Sequence, residues 1–108
     1  MAKKVYDISS KLTNENPRIK LDKEHEYEVN TDKNVVFQMT EMQQKGASDE
    51  EILVLLLGED NAKEVDEYLS SKPNYAANLA TVMICAVAAV SNIPYEVAEQ
   101  RFRNAIQG

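Results

Sequence analysis

The sequence predicts a mainly α-helical fold, with about five helices in a compact bundle preceded by a small N-terminal β-hairpin. Two observations predict it. After Asn30, apolar residues recur at helical spacing between glycine and proline breaks, whereas before it they alternate with polar residues as in strands. At 108 residues the chain fits a single domain, spanning 1–108. We divide it into a hairpin-containing segment, 1–30, and a helical body, 31–108.

The predicted hairpin lies near the N-terminus. Ile19 and Leu21 alternate with basic residues, and Tyr27 and Val29 alternate with glutamate and asparagine, with a polar turn over 22–25 between the two runs. This alternation places the four apolar side chains on one face. Because an isolated hairpin is only marginally stable in water, we expect that face to pack on the helices.

A first helix is predicted over residues 33–45, where Thr31 or Asp32 can cap it and Gly46 ends it. Phe37 is expected to point away from the apolar stripe of this helix. That stripe consists of Val35, Val36, Met39 and Met42.

A second helix is predicted to open at Ser48, whose hydroxyl can form a capping box with Glu51, and to end at Gly58. Val54 and Leu55 fall off the centre of its inner face, so the helix is apolar nearly all round. The inner face itself consists of Ile52, Leu53, Leu56 and Leu57.

Three further helices are predicted. The third spans about 60–72 and ends before Pro73, after which Asn74 can cap the fourth, over 75–90. The fourth helix has no charged face, so we expect it to lie in the middle of the domain. Pro94 suits the first turn of a fifth helix that ends near residue 106. The expected inward residues of the fifth helix are Ala98, Phe102, Ala105 and Ile106.

The charge pattern limits the classes of partner. The net charge is −6, and residues 35–72 account for it, with nine acidic and three basic residues. Acidic surfaces repel phosphate backbones, so we expect no nucleic-acid partner. The most apolar stretch, 75–90, is shorter than the ~20 residues of a spanning helix, and no signal peptide is visible, so we expect no membrane partner.

Residues suited to catalysis or metal binding are few. His25 is the only histidine and Cys85 the only cysteine. We interpret His25 as an exposed turn residue without further metal ligands around it, and Cys85 as a packing residue with a raised pKa among apolar neighbours. The sequence therefore predicts no enzyme activity, no cofactor and no metal.

Apolar side chains off the main stripes are the remaining candidates for function. We expect Phe37, Val54, Leu55 and Ile84 to contact another protein, the alternative being that the fold buries them on a second side. The two short helices around Gly58 have the outline of a helix-turn-helix, although the second of them is acidic rather than basic.

Three N-terminal strings carry a family resemblance. Residues 7–12 (DISSKL), 19–21 (IKL) and 27–30 (YEVN), followed by a helical body, resemble the tail assembly chaperones of long-tailed phages and prophages of Gram-positive bacteria. This resemblance implies a cytoplasmic protein of the bacterial host cell that binds the tape-measure protein while tail-tube subunits assemble around it. It also implies, often, a longer form made by ribosomal frameshifting, but it assigns no contact residues. A chaperone for a long helical client needs apolar grooves and can form homo-oligomers along that client. The alternatives are a small DNA-binding regulator and a phage structural or adaptor protein.

Overall fold

The chain folds into a two-stranded hairpin followed by five helices, which confirms the predicted fold class. The structure is a computed structural model that describes residues 4–13 and 15–107, with side chains as far as residue 105. In chain order its elements are a 3-10 turn (Ser9–Lys11), β1 (Arg18–Lys20), β2 (Glu26–Glu28), α1 (Lys33–Gln44), α2 (Asp49–Leu57), α3 (Glu59–Ser70), α4 (Tyr75–Ser91) and α5 (Tyr95–Gln107).

The hairpin is short and its register follows the apolar alternation. Ile19 pairs with Tyr27 across the antiparallel strands, and both are buried while their neighbours in each strand are exposed. The turn is closed by the amide of Leu21, which donates to the carbonyl of His25 at 2.8 Å. The carboxylate of Asp22 accepts the amide of His25 at the same distance, 2.8 Å. These local bonds fix the turn, so that strands of only three residues can pair.

The inner face of the hairpin packs on the helices, as predicted. Val29 is fully buried, and the next amide, of Asn30, donates to the carbonyl of Leu56 in α2 at 2.8 Å. The hydroxyl of Tyr27 donates to the carboxylate of Glu64 in α3 at 3.0 Å. The hairpin is thus joined to α2 through its backbone and to α3 through a side chain.

Helix α4 lies in the middle of the domain, as predicted, and packs against β1, α2, α3 and α5. All four predicted inward residues of α2 are buried in the main core beside it. A second, smaller cluster forms where α5 meets α4, with Ile84, Ala88 and Ala98 buried together. The uncharged helix is therefore the surface on which β1, α2, α3 and α5 are assembled, while α1 packs on α2.

Two of the predicted helix caps differ from the structure. Ser48 caps α2 as expected, accepting the amide of Glu51 at 3.3 Å. Asp32 and Asn74 occupy the N-cap positions of α1 and α4, but neither makes a side-chain capping bond. Asn74 has a left-handed backbone with φ of 63°, whereas capping side chains normally extend from a β-region backbone. The side-chain amide of Asn78, within α4, donates to the carbonyl of Pro73, just ahead of the helix, at 3.1 Å.

The inward face predicted for α5 is only partly correct. Ala98 is buried, but Phe102 is 41% exposed and Ala105 is exposed, while the side chain of Ile106 is outside the described residues. The chain bends by 117° between α4 and α5. Because α5 therefore crosses α4 rather than running beside it, the first half of α5 is covered and the second half extends beyond its neighbour.

No single helix among the described residues has the length and apolarity needed to cross a membrane. Helices α4 and α5 satisfy those criteria only as a bent pair.

We predict that Leu56→Ala will lower the free energy of unfolding by about 2–5 kcal/mol, because Leu56 is fully buried and truncation leaves a cavity. Leu12→Ala is the matched control, since Leu12 is 65% exposed and the same change should cost less than about 0.5 kcal/mol. Urea unfolding at low protein concentration measures both. Equal losses for the two variants would contradict the described core.

Candidate protein-binding surfaces

The four residues predicted to contact a partner lie in two separate places. Phe37 on α1 is 62% exposed and Val54 on α2 is 43% exposed, whereas Leu55 is half-buried against the main core. Ile84 is buried in the smaller cluster with Ala98. The structure therefore places three of them around α2 and the fourth below the junction of α4 and α5.

The first surface, which we call the α2 face, is a ridge formed by Val54 with a shallow groove on each side. The groove towards α1 has Met42 and Leu55 in its floor, and the groove towards α3 has Leu53 and Ala62. Phe37 lies one helical turn before Glu41, a residue of the first groove, and so borders the face. The charged lining residues of the two grooves are Glu41, Glu50, Glu51, Glu59 and Asp66, with Lys45 and Lys63.

Hydrogen bonds hold part of this acidic lining in place. The ammonium group of Lys45 lies 2.7 Å from the carboxylate of Glu41. The hydroxyl of Tyr75, at the start of α4, donates to Asp66 and lies 3.4 Å from the carboxylate of Glu50. The hydrogen bond to Asp66, assisted by desolvation, raises the pKa of Tyr75 to about 12. One phenol thus joins α2, α3 and α4 beside the groove.

The second surface is an apolar groove between α4 and α5, with a volume of about 350 Å³. Only two charged residues line it, Asp49 and Arg101, and their charges are opposite. Phe102 stands at its edge with a large exposed fraction because the second half of α5 is uncovered. The apolar lining includes Ile52, Met83, Ile84, Val87, Ile93 and Phe102.

His25 occupies a different environment from the exposed turn that we expected. Its side chain is half-buried, with its ring centroid 4.3 Å from that of Tyr68 in α3 and its Nδ1 atom 2.8 Å from the carboxylate of Asp22. This contact with His25 holds the pKa of Asp22 well below its usual range. The Asp-x-x-His spacing indicates the contact between His25 and Asp22. The contact with Tyr68 had no signal in the sequence, because Tyr68 comes from a distant part of the chain. His25 fastens the turn to α3.

Cys85 and the possible metal ligands are the other groups with reactive side chains. Cys85 is half-buried, and desolvation raises the pKa of its thiol. Within residues 4–13 and 15–107, no group of three or more histidine, cysteine, aspartate or glutamate side chains is arranged to hold a metal ion.

One candidate surface has no counterpart in the sequence-based predictions. Residues 4–13, here called the N-terminal arm, are all exposed. The arm has no strand or helix period that would have identified it, and the only signal was a high density of large apolar residues in a short segment. Those residues are Val5, Tyr6, Ile8 and Leu12.

Comparison with known proteins found no match to this chain among protein-family models, curated proteins or solved structures. The three surfaces are therefore interpreted through their own chemistry.

We predict that stability falls as the pH rises from about 10 to about 12 and that Tyr27→Phe makes this fall less steep. Burial, with help from Glu64, raises the pKa of Tyr27 from 10.0 to about 12. A raised pKa in the folded state means that the tyrosine stabilises the fold fully below pH 10.0 and loses this effect as the pH approaches 12. Urea unfolding across this range measures the slope.

The exposed Tyr6 provides the matched control, because Tyr6→Phe removes the same hydroxyl from a site without a buried partner. Lysine deprotonation affects all three proteins equally and cancels in the comparison. Identical slopes for wild type and Tyr27→Phe would show that the phenol does not couple to folding.

Proposed function

We propose that this protein is a non-enzymatic protein-binding protein that holds a helical client in the groove between α4 and α5. The single observation that supports this most is the groove itself, which is apolar, open and almost free of charge. An amphipathic helix binds such a groove through anchors spaced at i, i+3 or i+4, and i+7. The uncharged α4 supplies a continuous apolar floor for those anchors.

The resemblance of the N-terminal strings to tail assembly chaperones names the class of client. We propose that the client is a tape-measure-like protein, a long helical chain with exposed apolar stripes before assembly, and that binding takes place in the cytoplasm of a bacterial host cell. The acidic residues of 35–72 support this role because their negative charge keeps a loaded complex soluble.

Of the alternatives, DNA binding receives the least support. Helices α2 and α3 do form a pair around Gly58, but the first turn of α3 carries Glu59 and Asp60 where a recognition helix needs basic or amide side chains. A structural or adaptor protein of the virion could use the same groove, but it would remain in the finished particle. A chaperone is expected to be absent from purified finished tails, which mass spectrometry of the particles measures.

Co-expression tests the proposal directly. The protein should raise the soluble fraction of the tape-measure protein encoded beside its own gene and co-purify with it. Phe102→Ser should weaken this complex about tenfold, as expected when an aromatic anchor at an apolar interface is truncated.

Val97→Ser is the matched control for this substitution. Val97 is on the same helix and is 41% exposed, as is Phe102, but it does not line the groove. The proposal fails if no complex forms over a range of salt concentrations, or if the two variants weaken it equally.

A further inference from the structure

We propose that the N-terminal arm of one copy docks on the α2 face of a second copy, so that the chain assembles head to tail. The inference does not depend on the client or on the groove between α4 and α5. It rests on two surfaces of the same chain, both exposed in the single copy, whose polarity and charge are complementary.

The arm has the composition of a docking segment. Its four large apolar side chains, at positions 5, 6, 8 and 12, are between 54% and 84% exposed. Lys4 precedes them and Lys11 lies between Ile8 and Leu12. The one acidic residue of the arm, Asp7, accepts hydrogen bonds from the amide and the hydroxyl of Ser9 at 3.0 and 2.7 Å. A short segment with this many exposed apolar side chains indicates an interaction site.

The α2 face offers the matching features. Its Val54 ridge and apolar groove floors can receive the apolar side chains of the arm. Its lining carries five carboxylates against two lysines, a charge of −3 that suits the two lysines of the arm. The groove between α4 and α5 lacks this charge complementarity to the arm, because the charges of its two charged residues, Asp49 and Arg101, cancel.

The position of the arm favours a second copy as the receiver. The arm is held at its base, where Asn16 contacts Thr31 at 2.9 Å and Glu28 at 3.4 Å, next to the start of α1. Beyond that anchor, the hydrogen bonds of the described arm stay within residues 7–15. In the single copy the described arm is exposed along its whole length, and the grooves of the α2 face are open.

An arm-to-face contact joins two different surfaces, so a single contact leaves one arm and one face free, and the smallest ring is a pair that exchanges both arms. Each copy then has one arm to give and one face to offer. The expected assembly is an open chain or a ring of copies that grows with protein concentration, and salt should weaken it because charge contributes to the contact.

Sedimentation equilibrium of the full chain and two variants tests the proposal. In the arm variant Val5, Tyr6 and Ile8 are all changed to Ser, and in the face variant Val54→Glu places a charge on the ridge. All four residues are exposed, and circular dichroism checks that both variants keep their helical content. We expect the wild type to show a mass that rises with concentration and each variant alone to remain a monomer.

Mixing the two variants gives the decisive result. The arm variant retains an intact face and the face variant retains an intact arm, so an equal mixture should form dimers and nothing larger. Val97→Glu is the control, because Val97 is as exposed as Val54 but lies on α5, and it should assemble like the wild type.

Three results would overturn the proposal. The first is a wild type that stays monomeric at every concentration, whether its arm is free or bound to its own α2 face. The second is an arm variant that assembles as well as the wild type. The third is a mixture of the two variants that remains monomeric.

Discussion

The absence of charge on α4 is the constraint on which the rest of this structure depends. Its 17 residues include no aspartate, glutamate, lysine or arginine, so the helix must be covered on several sides to remain in water. The hairpin, α2, α3 and α5 each supply part of that cover. Neither a hairpin of two three-residue strands nor the nine-residue α2 would be stable alone, so each is held by its contact with the common core.

The cover over α4 is incomplete, and the candidate binding groove is a consequence of this. Helix α5 crosses α4 after a bend of 117° and buries only its first half, which leaves an apolar channel floored by α4 with Phe102 at its edge. Apart from Asp49, the acidic residues of α2 and α3 lie outside this channel. One domain thus presents an apolar groove without net charge on one side and an acidic face with an apolar ridge on another. The two surfaces suit different kinds of partner.

Much of this fold could be predicted because its signals are local. Gly46, Gly58 and Pro94 mark helix ends through backbone conformation, and alternation of apolar and polar residues identified the hairpin. The wrong predictions involve distant parts of the chain. The helical period of α5 marked Phe102 as inward, but the period cannot tell how far the neighbouring helix extends.

The burial of His25 likewise depends on Tyr68, which lies more than 40 positions along the chain. Of the predicted contact residues, Phe37 and Val54 are exposed on the outer sides of α1 and α2, whereas Ile84 is buried because α5 covers it. Native-state hydrogen exchange tests the central role of α4 most directly. The amides of the second half of α4 should exchange only through global unfolding, while those of the second half of α5 exchange through local opening. If α4 exchanged as readily as α5, it could not be the helix on which the other elements depend.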